Sequence, residues 1–116
     1  MTKMIEVKTA DLIGPALDWA VAKAEGLNLP PFPGRGARQC VIDVSPARCT
    51  VFEPSTDWSQ GGPLIDKMGG FELKVWLESK PETKCEAHIH NYDGDWIVFG
   101  PTPLIAAMRC LVASKL

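Results

Sequence analysis

The sequence has little of several features that would assign a function directly. Its four cysteines form no CxxC pair, which argues against zinc-ribbon and dithiol redox motifs and favours reduced thiols. No apolar run approaches the length of a membrane span, and the N-terminus has no secretory signal. The formal net charge is −2, with both signs scattered along the chain, so a nucleic-acid partner is not expected. We therefore expect a cytoplasmic protein with no membrane partner.

The hydrophobic spacing predicts an α+β fold. Apolar residues at helical spacing predict one helix over residues 12–25 and another over the last residues of the chain. Alternation of apolar and polar residues, bounded by turn residues, predicts strands at 39–44, 49–52, 71–77, 84–90 and 96–99. We expect one domain over residues 1–116, with two helices packed on one face of a 3–5-stranded antiparallel sheet in the order α-β-β-β-β-α. The Pro/Gly-rich residues 28–37 and the turn-rich residues 54–70 are predicted to be loops.

The C-terminal helix is introduced by Gly100-Pro101-Thr102-Pro103, in which Thr102 suits the N-cap and Pro103 the first helical position. Its two sides differ in composition. One side is a stripe of larger apolar residues, and the other carries Ala106, Cys110 and Ala113 with Arg109 as its chief charge. Small residues allow close approach of another helix, so this side is a candidate interface with the first helix or with a second subunit in a homodimer. Alanine is also the best helix former and often lies on a surface, which leaves both interpretations open.

The turn-rich segment offers a candidate ligand site. Trp58 provides a ring for stacking, and the N-terminus of the last helix would favour an anion if the two segments meet. An aromatic ring, polar loop and helix N-terminus together suit a small nucleotide-like molecule. A tight loop whose tryptophan fills the core is the competing interpretation. The candidate ligand-binding residues are Ser55, Thr56, Asp57, Trp58, Gln60, Gly61, Gly62, Thr102 and Arg109.

The two histidines of the chain form an HxH pair on a predicted strand. His88 and His90 share a strand face, with Glu86 before them and Asp93 or Asp95 after, and one of these carboxylates could complete a Zn²⁺ or Fe²⁺ site. Solvent-facing histidines on a hairpin are the commoner explanation of such a pair. No catalytic residue and no cofactor is predicted from these motifs.

Three stretches carry a family resemblance: GPTPLIAAMRCLVASKL (100–116), FEPSTDWSQGGPLIDK (52–67) and ALDWAVAKAEG (16–26). With these residues the sequence resembles the NinX-like proteins of tailed bacteriophages, a domain family of unknown function. The resemblance implies a small accessory phage protein in the cytoplasm of a bacterial host. It brings no catalytic residue, cofactor or substrate.

The motifs and the resemblance together favour a non-enzymatic binder of a host protein or a small nucleotide-like metabolite. Countering host defence is a role that would fit a phage accessory protein. Two alternatives remain: a metal-dependent hydrolase that uses the HxH pair, and a self-associating structural protein that uses the small-residue side of the last helix.

Overall fold

The computed structural model describes residues 12–27, 41–45, 48–76, 80–91 and 94–115. Its elements in chain order are α1 (Gly14–Ala24), β1 (Val41–Ser45), β2 (Arg48–Val51), α2 (Trp58–Asp66), β3 (Phe71–Val75), β4 (Cys85–Asn91), β5 (Gly94–Gly100) and α3 (Pro103–Lys115). The α+β class is confirmed, whereas the predicted element order is not, because a third helix lies between β2 and β3. The predicted loop at 28–37 lies outside the described residues.

The described strands form two separate sheets rather than the single sheet that the sequence predicts. β3, β4 and β5 form an antiparallel sheet in that order, and β1 pairs only with β2. The inner face of β4 carries Cys85, Ala87 and Ile89, all of which are buried. Its outer face carries His88 and His90. The meander therefore has one covered and one solvent-facing side, as its alternating sequence predicts.

The terminal helix α3 lies between the three-stranded sheet and α1. On the sheet side, Ala106 and Cys110 join the buried residues of β4 in one apolar cluster. On the other side, Met108 and Leu111 pack with residues of α1 such as Leu17. The predicted arrangement of two helices on one sheet face is therefore wrong for the described residues. Only α3 contacts the sheet extensively, and α1 packs on α3 from the far side.

Residues 54–70 are mostly helical, which corrects the predicted turn-rich loop. Asp57 is the N-cap of α2, and its side chain accepts a hydrogen bond from the Ser59 N–H. Asp57 at the N-cap and Gln60 three residues later are a sequence signal for the start of a helix. The prediction of a loop gave more weight to the Gly-Gly-Pro stretch that follows. Pro63 lies inside the helix. Tertiary packing holds this short helix against the low intrinsic propensity of its residues.

Candidate functional site

A recess opens where the turn before α2 meets the start of α3. Its volume is about 260 Å³, slightly below the range of about 300–1,000 Å³ that is typical of small-molecule sites. Its lining residues are Ser55, Thr56, Trp58, Thr102, Pro103, Leu104 and Ile105. Trp58 leaves 54% of its surface exposed here, although large apolar side chains are usually covered. The tryptophan segment and the proline-flanked helix start thus meet in space, which is the condition on which the predicted ligand site depends.

The N-cap of α2 fixes the position of Trp58. Asp57 Oδ1 accepts hydrogen bonds from the backbone N–H of Ser59 at 2.9 Å and from its hydroxyl at 2.7 Å. These bonds, led by the one from the Ser59 hydroxyl, lower the pKa of Asp57. Trp58, as the first helical residue, is therefore presented from a rigid helix start and not from a free loop.

The other wall of the recess is tied to α1. The backbone N–H of Ser55 donates to Asp18 Oδ1 over 2.9 Å, and the two residues are 37 positions apart in sequence. Asp18 is only 3% exposed, and burial raises its pKa, an effect that the Ser55 side chain and, to a smaller extent, the Ser55 N–H only partly offset. The Oγ of Ser55 is buried beside this carboxylate. This link was missed because neither residue has a distinctive sequence context.

The start of α3 forms the third wall. The Thr102 hydroxyl accepts a hydrogen bond from the Ile105 N–H at 3.1 Å, which confirms Thr102 as the N-cap. Pro101 and Pro103 have no N–H to offer. The helix start therefore presents the positive end of its dipole to the recess but few donors that a phosphate could engage.

The recess lining does not include four candidate ligand residues near the start of α2: Asp57, Gln60, Gly61 and Gly62. Gln60 Oε1 accepts from the Glu53 N–H at 2.9 Å, and its Nε2 donates to the Val51 carbonyl at 3.3 Å. A β-carbon on Gly61 would lie 2.5 Å from the Pro54 carbonyl oxygen, so this glycine permits packing and not ligand approach. A β-carbon on Gly62 would meet no atom within 4 Å.

Arg109 also lies away from the recess lining. It is 8% exposed, and its Nε donates to the Leu12 carbonyl at 2.8 Å while Nη1 donates to the Phe99 carbonyl at 2.9 Å. The guanidinium thus connects the chain entering α1 with the end of β5. Its observed contacts support a bracing role and do not support the predicted ligand role.

The predicted interface on α3 is also largely unavailable. Ala106 and Cys110 are fully buried against the sheet of their own chain, and only Ala113 is half-exposed. The small residues therefore serve an internal contact, which explains why this side of the helix has so little charge. A homodimer through Ala106 and Cys110 would require the sheet to separate from α3.

A second polar cluster lies near the hairpin that joins β4 to β5. His90 pairs directly with Asp95 across the two strands, and His88 lies one pair further along the same face. Asp95 Oδ1 lies 3.4 Å from His88 Nε2 and contacts His90 Nδ1. The pKa of Asp95 is lowered, chiefly by its hydrogen bond with His90. Asp93, which was also considered from the sequence, lies outside the described residues.

The two candidate sites lie at opposite ends of β5. Gly94 is at the hairpin end and Gly100 at the recess end, about 20 Å apart at the usual rise per strand residue. Among the described residues, no helix is long and apolar enough to cross a membrane.

These features define a three-layer α+β domain with a recess at one end of the sheet and a histidine cluster at the other. A sequence model of the family described as bacteriophage P22, NinX matches residues 8–115, so the chain belongs to the NinX family. This confirms the resemblance seen in the three sequence stretches.

A solved structure has a similar fold. The chain is similar to the crystal structure of a phage protein from Bacillus cereus ATCC 14579, with a TM-score of 0.65 and 17% sequence identity. The match covers 98% of this chain and 93% of that one. At this identity the similarity shows the fold alone. A search of curated protein sequences found no match.

Proposed function

We propose that this NinX-family chain is a non-enzymatic phage accessory protein that binds a small planar-ring molecule in the recess beside Trp58. The observation that carries the proposal is the exposed Trp58 ring on the wall of a preformed recess. Aromatic side chains bury about 150–250 Å², so covering the exposed half of this one would contribute about 2–3 kcal/mol at roughly 25 cal/mol per Å².

The chemistry of the lining favours a nucleobase-like ring. Pro103, Leu104 and Ile105 supply apolar surface, and Thr56 and Thr102 supply hydroxyls at the edge. A volume of about 260 Å³ suits one ring system better than a complete dinucleotide.

The scarcity of N–H donors at the start of α3 makes the ring, and not a phosphate, the main recognised group. A phosphate attached to the ring would still be favoured by the helix dipole without being essential. In the phage context such binding would remove a metabolite of the bacterial host from use. Countering host defence is one consequence of that role.

The test is a binding survey with two matched tryptophan variants. Nucleosides and nucleoside monophosphates are titrated by calorimetry into the wild type, Trp58→Ala and Trp76→Ala. Trp76 is a suitable control because it is 46% exposed, close to the 54% of Trp58, but lies beyond β3, away from the recess lining. We expect a ligand that binds the wild type and Trp76→Ala and loses about 30- to 150-fold affinity with Trp58→Ala, which corresponds to about 2–3 kcal/mol.

Small molecules extracted from protein purified from host cytoplasm extend the survey beyond these probes. Mass spectrometry should find a compound with the wild type and Trp76→Ala that is absent with folded Trp58→Ala. Equal binding by both variants would contradict the proposal. If no small molecule is retained and a host protein co-purifies with the wild type but not with Trp58→Ala, the recess binds a protein partner instead.

A further inference from the structure

We propose that His88, His90 and Asp95 form a binding site for a divalent transition-metal ion of the zinc class. The three residues offer two imidazole nitrogens and one carboxylate oxygen, and these ligand atoms all lie within 4.8 Å of one another. Two imidazoles and a carboxylate are a donor set that Zn²⁺ and Fe²⁺ use in proteins. The inference is independent of the proposed recess, from which this cluster is separated by the length of β5.

The backbone arranges these ligands before any ion binds. His88 and His90 are two residues apart on β4, so their side chains leave the same face of the sheet. Asp95 is the cross-strand partner of His90 in the antiparallel register. Cross-strand neighbours of this kind have β-carbons about 5 Å apart, which is within reach of one shared ion.

The distances between the ligand atoms are close to those found around a bound zinc ion. Ligand atoms of a tetrahedral zinc site are about 3.3 Å apart for bonds of about 2.0–2.1 Å. The observed 3.4 Å between His88 Nε2 and Asp95 Oδ1 already meets this value. The contact between His90 Nδ1 and the same oxygen would have to lengthen, which a rotation of the exposed His90 ring can supply.

Solvent can reach the open coordination positions. The side chains of His90 and Asp95 are 70% and 55% exposed, and that of His88 is 28% exposed. A shallow cavity of about 380 Å³ lies beside the cluster, lined by Gly69, Gly70, His90 and Asn91. Gly70 keeps this flank close to β4, because a β-carbon there would collide with the His90 carbonyl oxygen. A bound ion would therefore retain water ligands, as ions in open sites do.

The experiment uses the full chain without a histidine tag, titrated with Zn²⁺ by calorimetry near neutral pH. We expect one equivalent of Zn²⁺ to bind the wild type. His90→Ala and Asp95→Asn should each weaken binding by about 100-fold or more, since loss of an outer-sphere partner alone costs roughly 10–100-fold. Co²⁺ should give the visible absorption of a low-symmetry site in the wild type and not in either variant.

Glu86→Gln is the matched control. Glu86 lies on the same face of β4, two residues before His88, but it is hydrogen-bonded to Trp76 Nε1 and is not part of the ligand cluster. It should leave Zn²⁺ affinity within about threefold, because it changes surface charge without removing a ligand. No Zn²⁺ binding by the wild type would overturn the proposal. So would equal weakening by Glu86→Gln and His90→Ala, which would indicate diffuse attraction to the surface.

Discussion

The two buried sides of α3 are packed with side chains of different size. Toward the sheet, Ala106 and Cys110 meet the small residue Ala87, and a β-carbon on Gly100 would come within 2.8 Å of the Ala106 nitrogen. Toward α1, the larger Leu111 and its neighbours fill the space between two helices. One helix is thus held by close backbone approach on one side and by side-chain volume on the other. The two sides should tolerate opposite kinds of substitution.

The largest expected effect comes from reversing the size of one residue on each side. Leu111→Ala should lower the free energy of unfolding by about 2–5 kcal/mol, because it leaves a cavity between α1 and α3. Ala106→Leu should lower it by about 1–3 kcal/mol for the opposite reason, since the sheet leaves no room for a larger side chain. Urea unfolding followed by circular dichroism measures both changes.

Two controls show whether size is the cause. Leu111→Met keeps the volume and should cost less than about 1.5 kcal/mol. Ala113→Leu adds the same atoms as Ala106→Leu at a half-exposed position and should cost less than that variant. If Ala106→Leu is as stable as the wild type, the sheet side of α3 is not closely packed, and the proposed difference between the two sides is wrong.

A smaller effect is expected where α2 touches the start of α3. A β-carbon on Gly61 would lie 2.7 Å from Leu104 Cδ2 as well as against the turn at Pro54, whereas one on Gly62 would meet open space. Gly61→Ala should therefore destabilise the protein by about 1–3 kcal/mol. Gly62→Ala should cost less than Gly61→Ala, because its β-carbon meets no distant part of the chain and is restricted only by the ring of the following Pro63. Thermal unfolding should therefore lower the midpoint more for Gly61→Ala than for Gly62→Ala, and equal midpoints would exclude close packing at Gly61.

The smallest expected effect is a change in pH dependence on the α1 side. Burial raises the pKa of Asp18 above its ordinary value of 3.8, so the folded state holds this proton more tightly than the unfolded chain. The stabilisation from this group is present below the unfolded pKa and is lost as the pH rises through the folded pKa. Asp18→Asn keeps an oxygen acceptor for the Ser55 N–H and should remove that decline from urea unfolding measured across mildly acidic pH.

Asp57 provides the control of opposite sign. Its pKa is lowered by its bonds to Ser59, so its contribution is present above the unfolded pKa of 3.8 and is lost as the pH falls through the folded value. Asp57→Asn should therefore reduce the loss of unfolding free energy at the most acidic pH values. The decline that Asp18 causes at mildly acidic pH should remain. Parallel pH profiles for the wild type and Asp18→Asn would show that the buried carboxylate does not titrate as described.

Local signals predicted the elements whose structure is decided locally. Thr102 caps α3 as expected, because the cap bond joins residues three positions apart. The helix α2 was missed because Gly61-Gly62-Pro63 has poor helix propensity, and the contacts that hold it, with Pro54 and Leu104, are tertiary. The separation of the β1–β2 hairpin from the main sheet depends on packing that no local pattern encodes.

The same distinction applies to the candidate sites. The meeting of Trp58 with Thr102 could be anticipated, since both segments carried unusual turn residues. The Asp18–Ser55 link could not be anticipated, because it joins an ordinary helical position to a loop far along the chain. The sequence spacing alone left Glu86, Asp93 and Asp95 open as the carboxylate beside the histidines. The choice of Asp95 follows from the hairpin register, which pairs it with His90.

The thiols of Cys85 and Cys110 are buried between α3 and the sheet, so their reactivity can report when the helix and the sheet separate. Burial raises the pKa of Cys85, and it raises the pKa of Cys110 to about 11, so neither is a reactive thiolate while the sheet and helix remain in contact. The Cys110 thiol also donates a hydrogen bond to the Trp96 carbonyl oxygen at 3.3 Å. Alkylating agents and oxidants should therefore modify these two cysteines only when local unfolding separates α3 from the strands. The rate of modification would then be set by the frequency of that opening.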